Sequence, residues 1–525
     1  MLIDLADLPD DGNAPDVLIV GAGAVGLALG IALARGGVRV TILEAGGREP
    51  AVDYRAHNLG TATGRPHRGI AEGRMRALGG TTRLWGGQLV PFDAEDFAGD
   101  AAAGRPAWPV AFDEMARWFA AAFAFLGIDP AAADEAAVWR RATGQSQAFG
   151  DALRMGMNIW LPQADFTRLF ADDIAKLPGL TVVTGAPVER LLLDDTGRRI
   201  EAVEAGLGPT CRRFSAPSVV LANGTLEIAR MLLRTAATAP VCAFAGNAAI
   251  GRGFLDHLHG VAGTIEVARP GALLDLFDNV YWQGRKYGVK MRASDRLRRS
   301  RGIGNCAAII YTPVNLGTAA RDLAAFGRRL LSGGGARGLM PAMAGAARMA
   351  AILAPVAWRY LVARRSTSVF SRGVGLGIEV EQLPTAESYL ALDPAHPPET
   401  APVVLHWHLG GREIEAVAAV CEAVAAEFAA RGLGHVAIDP RVLARDPAFL
   451  DDCVDAYHQM GGARMGDRAE EAVVDRDLRV FGTENLFVLG AATFPSGSFA
   501  NPTLTALAFA LRLADHLCSG KDRAW

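Results

Sequence analysis

Two places in this chain combine residue types and spacings that can do chemistry. The first is Gly21-Ala22-Gly23-Ala24-Val25-Gly26, a GxGxxG run, with an acidic side chain, Glu44, 18 residues beyond its last glycine. Gly21 permits a tight turn, Gly23 lets the backbone approach a pyrophosphate, and Gly26 lets a helix pack close to the preceding strand. The start of that helix offers free N–H groups and the positive end of its dipole to phosphate oxygens. Glu44 stands where a carboxylate accepts hydrogen bonds from both ribose hydroxyls. The chemistry is dinucleotide binding, and these residues leave FAD and NAD both open. The second place is Tyr457-His458-Gln459-Met460-Gly461-Gly462-Ala463-Arg464-Met465-Gly466, followed by Pro495-Ser496-Gly497-Ser498-Phe499-Ala500-Asn501-Pro502-Thr503. A lone His is more often structural and a lone Asn more often caps a helix. His458 and Asn501 together are more specific than either.

The elements that must position these residues are legible around them. Val17–Val20 is an apolar, β-branched run of buried-strand length. An Ala/Leu-rich helix over 27–35 follows, stopped by Gly36-Gly37, and a second strand over 38–43 ends at Glu44. This is a complete β-α-β unit. A second Gly-rich stretch runs from Arg74 through Gly79-Gly80-Thr81-Thr82-Arg83-Leu84-Trp85-Gly86-Gly87. Its glycines allow close approach to a flat ligand, and its Thr hydroxyls can donate to phosphate or flavin carbonyl groups. Trp85 in such a loop needs something to pack against. Residues 101–179 read as mainly helical, with a helix over 112–126. Strands are expected over 180–184, 188–193, 198–203 and 217–222, the last running into Asn223-Gly224-Thr225 and a helix over 226–233. Near the end, strands over 473–480 and 486–489 lead to Gly490-Ala491-Ala492, and a long apolar helix covers 504–516.

Between 250 and 440 the pattern changes. Ile250-Gly251-Arg252-Gly253-Phe254-Leu255-Asp256-His257 is a loop with a charged pair, and alternating segments at 263–267, 288–292, 305–312, 375–382, 389–392 and 403–409 predict a largely antiparallel sheet. One helix, Glu413–Ala430, follows. Inside this region, 321–365 carries eight arginines against Asp322 alone, with Gly333-Gly334-Gly335 and Pro341 as breaks. Such a basic, apolar, Trp-containing segment can be a subunit-contact arm, a lid or a membrane-interface element. The expected fold is thus α/β. A Rossmann-like nucleotide-binding domain takes 1–100, 180–262 and 445–525, and an inserted α+β substrate domain takes 101–179 and 263–444.

Composition excludes several classes. The chain has 525 residues, enough for two domains, with half of them hydrophobic and a net charge of −3, which gives no footprint for nucleic acid. The six cysteines form no CxxC pair, so neither a zinc site nor a disulfide framework is indicated. The acidic N-terminus, MLIDLADLPDDGNAPD, has neither the charged nor the apolar region of a secretion signal. A cytoplasmic protein is the expectation.

GAGAVG with Glu44, GGTT…WGG, LANGTLE, GRGFLDH, YHQMGGARMG and SFANPT occur in this order. The chain thereby resembles the glucose–methanol–choline (GMC) family of FAD oxidoreductases, from residue 16 to the C-terminus apart from the middle. The resemblance implies FAD rather than NAD. It places the cofactor against Gly21, Gly23, Ala24, Val25, Gly26, Glu44, Ala45, Arg76, Gly79, Gly80, Thr81, Thr82, Trp85, Gly86, Gly87, Val188, Asn223, Gly224, Gly490, Ala491, Asn501, Pro502 and Thr503. It also sets His458 and Asn501 at the flavin's reactive edge. The implied reaction is alcohol oxidation: the substrate C–H leaves as hydride to flavin N5, His458 takes the hydroxyl proton, and Asn501 hydrogen-bonds the same oxygen. Some similar sugar oxidases carry a His before the Trp of the Gly-rich segment and link it to flavin. Here that position is Leu84, so non-covalent FAD is expected. The wording of the motifs is nearest the pyranose- and glycoside-oxidising branch. The alternatives are a lipid-like alcohol delivered at a membrane through 321–365, and a non-catalytic flavoprotein docking subunit. The electron acceptor (oxygen, a quinone or a redox protein) is open.

Overall fold

The computed structural model describes residues 1–9, 14–53, 55, 58–144, 149–206, 208–239, 241–311, 347, 350, 351, 353, 354, 357–366 and 374–518. Most of the basic segment, 321–346, lies outside the described residues. At its end Arg359 pairs with Asp275 and Asp278, while Trp358, Leu361 and Val362 are exposed.

Six strands form one parallel sheet, in the spatial order Leu2–Asp4, Leu180–Thr184, Val40–Leu43, Val17–Val20, Ser218–Leu221 and Leu486–Val488. Val17–Val20 and Val40–Leu43 are buried at every residue, as strands covered on both faces must be. The helix Ala24–Arg35 packs on the final helix, Thr503–Cys518, so the two ends of the chain share one layer. A small antiparallel sheet of Val188–Leu193, Ile200–Ala205 and Arg212–Phe214 is attached to this unit.

The second unit is a ten-stranded antiparallel sheet. Its main path runs Arg365–Ser366, Asn279–Trp282, Arg285–Ala293, Cys306–Tyr311, Val374–Glu381, His257–Val267 and Gly434–Ile438. The helix Glu413–Ala430 covers part of it and is buried along Ala416–Cys421. The fold is therefore α/β with a Rossmann-like parallel sheet and separate antiparallel sheets.

Three expectations need correction. Residues 101–179 are not mainly helical throughout: Leu153–Trp160 is a strand that pairs over its whole length with Arg285–Ala293. Leu and Met favour helix by intrinsic propensity, but eight residues of cross-strand pairing override it. The strand over 473–480 is a tight turn instead. Asp475 accepts from the N–H groups of Asp477 and Arg479, Leu478 is at φ +67°, and only isolated bridges remain. The strand over 198–203 is shifted to Ile200–Ala205. The two units also interleave beyond the expected boundaries. Gln88–Leu89 and His257–Val267 join the large sheet, and the helix Phe112–Phe125 packs on the final helix.

Candidate active site

The site starts at the carboxyl edge of the parallel sheet. Gly21 sits at φ +102° and donates its N–H to Leu43 O at 2.7 Å, closing the turn. A Cβ at Gly21 would lie 2.8 Å from Asn223 Cα, and one at Gly26 would lie 2.0 Å from the Gly21 carbonyl oxygen. Both glycines are therefore fixed by contacts within the protein. Gly23 differs. It caps the helix at φ −77° with no side-chain cap, and nothing lies within 4 Å of where its Cβ would be.

Glu44 is buried. Its Oε2 accepts from the Ala22 N–H and its Oε1 from the Gly46 N–H, both at 2.9 Å, so the carboxylate ties the glycine turn to the end of the second strand. Burial pushes it up to about 7, against the pull of those two N–H groups and Arg76. Each carboxylate oxygen keeps a lone pair for a ligand hydroxyl.

These groups line a solvent-open cleft of about 290 Å³, at the lower end of the ~300–1,000 Å³ of ordinary small-molecule pockets. Of the expected residues, Gly21, Gly23, Ala24, Val25, Glu44, Ala45, Arg76, Gly80, Thr81, Val188, Asn223, Gly224, His458, Gly490, Ala491, Pro502 and Thr503 line it. Gly26, Gly79, Thr82, Trp85, Gly86, Gly87 and Asn501 do not. The Thr82 hydroxyl donates to Gly79 O at 2.7 Å and accepts from the Phe166 N–H at 3.2 Å. Its one proton is spent inside the protein, which corrects the expectation that it donates to a phosphate. Trp85 donates to Ala164 O at 2.8 Å and packs edge-on against Phe166. Arg74 and Arg76 also line the cleft, and with Arg230 they surround one carboxylate, Glu227. Burial alone would raise Glu227, but the three guanidinium groups hold it at about 2, leaving net positive charge on that wall.

A dinucleotide flavin fits these residues. Open space stands over Gly23 and Gly224, and Asn223 Oδ1 and Asn501 Oδ1 are buried without a protein partner. The positive wall suits a pyrophosphate.

His458 enters the cleft from a strained turn, since Tyr457 before it sits at φ +61°. Its Nε2 lies 2.8 Å from Asn501 Nδ2, and its Nδ1 lies 2.9 Å from His257 Nδ1. Backbone pairing explains the meeting. Leu258 pairs with Asp455, His259 with Val454, and Leu255 bridges Met460. Asp256, fully buried, fastens the arrangement: its Oδ1 accepts from the N–H groups of His257 (2.7 Å), His458 (2.9 Å) and Ala456 (3.3 Å). Its Oδ2 faces His67 Nε2 at 3.1 Å, and His67 is itself held edge-on by Phe254 and Trp407. Burial, then the neighbouring imidazole of His257, pushes His458 down to about 3. Burial, then His259 and Lys290, does the same to His257. Both rings are neutral at ordinary pH.

Asn501 is placed by its own loop. Ser498 donates to Asp96 Oδ2 at 2.7 Å, and Asp96 is clamped between Arg105 and Arg298 at 3.2 Å each. Trp108 donates to Ser496 at 2.9 Å.

The register of the large sheet gathers further polar side chains beside His257. Arg292 pairs with Ala307, Ala307 with Glu379, Glu379 with His259 and Glu381 with His257. Lys290 lies two residues from Arg292, and Asn158 is opposite Gly288, so all of these side chains share one face. Lys290 forms an ion pair with Glu379, whose other oxygen is 3.5 Å from His259 Nε2. Asn158 is buried with neither its Oδ1 nor its Nδ2 partnered. Sequence reasoning marked the loop that ends in Asp256-His257 only as one with a charged pair and missed His67, His259, Lys290, Glu379 and Asn158. The usable signal was the two-residue alternation of His257 and His259 on one strand.

Comparison with known proteins gives two family matches. Residues 384–510 match the GMC oxidoreductase model, and residues 16–251 match that of FAD dependent oxidoreductases. A pyridoxine 4-oxidase of Microbacterium luteolum is 23% identical over 92% of this chain and 95% of its own. A 2-methyl-1,2-propanediol dehydrogenase of Mycolicibacterium austroafricanum is 32% identical, but over 17% of this chain and 15% of its own. Among solved structures, pyridoxine 4-oxidase from Mesorbium loti superposes with a TM-score of 0.58 at 19% identity, covering 96% of this chain and 99% of that one. A fungal aryl-alcohol oxidase gives 0.58 at 15% identity over 97% and 99%. At these identities the structural likeness is one of fold.

Proposed function

The chain belongs to the GMC oxidoreductases and is an FAD-dependent oxidoreductase, and from that premise we propose that it oxidises a polar alcohol with His458 as base. The observation that carries this reading is the pairing of His458 Nε2 with Asn501 Nδ2 at 2.8 Å on the wall of the cleft. Bound FAD supplies the two-electron acceptor for the carbinol carbon. Asn501 Nδ2 can only donate, so Nε2 is the lone-pair nitrogen of His458 and its proton sits on Nδ1. A substrate hydroxyl that displaces the Asn501 N–H from Nε2 gives its proton to that nitrogen. The second Nδ2 hydrogen of Asn501 then stabilises the oxygen as negative charge grows. The neutral state forced on His458 by burial leaves Nε2 unprotonated. General-base catalysis of this kind is worth ~10²–10⁴-fold.

The substrate is a polyhydroxylated alcohol, a sugar or glycoside. The support is the polar face of the large sheet, where buried Asn158 offers two donors and two acceptor sites with no partner among the described residues. An apolar alcohol would leave such groups unpaired at ~1–3 kcal/mol each. FAD is held non-covalently, because Leu84 carries no nucleophilic atom; acid precipitation leaves the yellow colour in the supernatant, and colour in the pellet refutes it. His458→Ala keeps its flavin but is no longer bleached by substrate under anaerobic mixing with a panel of sugars, aryl alcohols and long-chain alcohols. Bleaching of that variant at the parent rate sinks the role of His458. Bleaching of the parent only by long-chain alcohols sinks the sugar reading.

A further inference from the structure

His257 stands behind the base, not in front of it, and its chemistry is unassigned. Its Nδ1 is 2.9 Å from His458 Nδ1, with the rings edge-to-face at 4.9 Å between centroids. Two facing Nδ1 atoms share a single proton: one nitrogen donates and the other accepts. With the lone pair of His458 on Nε2, that proton belongs to His458, and His257 accepts it at Nδ1 while keeping its own proton on Nε2. The same carboxylate oxygen of Asp256 holds the backbone N–H of both residues, so neither ring shifts without the other.

We propose that His257 is a positioning residue that also takes over the proton: as His458 Nε2 gains the substrate's hydroxyl proton, the Nδ1 proton of His458 passes to His257 Nδ1. The balance is simple. The substrate O–H breaks and an Nε2–H forms on His458; one Nδ1–H breaks on His458 and one forms on His257. His458 ends neutral and His257 ends as imidazolium, one residue further from the reacting oxygen. No electrons move in this step. Around that imidazolium, His259 and Lys290 oppose the charge, while the Ser498 backbone and Asp96 favour it; Glu379 and Asp256 stand on the His458 side. His257 Nε2, buried with no partner of good hydrogen-bond geometry among the described residues, is the end of the chain of transfer, and the Ser498 backbone is the hydrogen-bonding neighbour of this ring.

This rests on His458 being the base, and the tests separate the two ideas. In FAD-loaded protein with 15N-labelled histidines, one imidazole proton bound to Nδ1 resonates at low field, and it disappears in His257→Leu. His257→Asn keeps an acceptor oxygen near the Nδ1 position but cannot accept a proton. It therefore retains flavin content, unfolding midpoint and substrate Kd within about threefold, while the rate of substrate-driven bleaching falls at least tenfold. His257→Leu loses both substrate affinity and rate. A low-field proton absent from the parent, or His257→Asn bleaching at the parent rate, overturns the relay. If His458→Ala is also bleached at the parent rate, the base assignment falls with it; if that variant is inactive, only the relay falls.

Discussion

The glycines of the phosphate turn make opposite demands, and two alanine substitutions separate them. In Gly26→Ala the new Cβ lies 2.0 Å from the Gly21 carbonyl oxygen and 3.1 Å from its carbon. Ordinary van der Waals contact begins at 3.4 Å, so the first helix must retreat by about 1.4 Å along that line. Both clashing groups are backbone, and no rotamer relieves them. The helix is pressed between the sheet and the final helix, and overpacking of such a core costs ~1–3 kcal/mol. Gly23→Ala meets no protein atom within 4 Å and keeps an ordinary φ of −77°. Its apoprotein therefore stays within about 1 kcal/mol of the parent, the unfolded-state gain of a Gly→Ala change being ~0.4–1 kcal/mol. What the methyl obstructs is whatever occupies the cleft. Losing one charge-assisted hydrogen bond of ~1.5–3 kcal/mol to the helix start weakens FAD by roughly 10- to 100-fold. Urea unfolding of the apoproteins and titration with FAD measure the two effects. If Gly26→Ala unfolds with the parent, or Gly23→Ala binds FAD as tightly as the parent, the assignment of one glycine to packing and the other to the ligand is refuted.

Glu44 makes apoprotein stability pH-dependent. Its folded pKa of about 7 exceeds the unfolded 4.5, so this group's contribution is intact below 4.5 and is lost as pH rises through 7, by about 3 kcal/mol at ~1.4 kcal/mol per unit. Urea midpoints from pH 4.5 to 8 show that slope, and an unchanged slope in Glu44→Gln rules Glu44 out as its source. His458, pushed down to about 3 from 6.5, is already neutral at pH 5; the rate of substrate-driven bleaching therefore has no acid limb near 6.5, and stopped-flow traces that show one contradict this. Asp96→Ala leaves Arg105 and Arg298 buried without their shared carboxylate, costs ~3–5 kcal/mol and frees Ser498. Its urea midpoint and its bleaching rate fall together, and an unaltered rate in folded protein means the network does not position Asn501.

The parts of the site legible in sequence are those where local chemistry and fold coincide. Val17–Val20, the GxGxxG turn, the following helix and Glu44 are contiguous, and each demands the next; no distant residue is needed to read them. The helix Glu413–Ala430 and the strands Leu180–Thr184 and Val188–Leu193 were legible for the same reason, periodicity and bounding turns. The polar face of the large sheet was not legible, because it is a property of register. Asn158, Lys290, Glu379 and His259 stand on four strands whose order does not follow the chain, and no local pattern places them on one face. Thr82 shows the opposite failure. Its type suits a phosphate donor, but its proton goes to the Gly79 carbonyl, and the N–H of Phe166, 84 residues away, binds its oxygen.

Asp256 gives the physical reason the two chain segments act as one site. A buried carboxylate with no partner would take up a proton, yet this one is fed by three backbone N–H groups and an imidazole nitrogen. Two of those N–H groups belong to the two histidines whose side chains face each other. The carboxylate thus fixes the backbones of His257 and His458 without spending a bond on either ring. Their imidazoles remain free to bond each other and Asn501. An arrangement in which the carboxylate bonded the ring of His257 or His458 directly would orient one of the two and draw its proton; this one holds both backbones and leaves the shared proton between the rings.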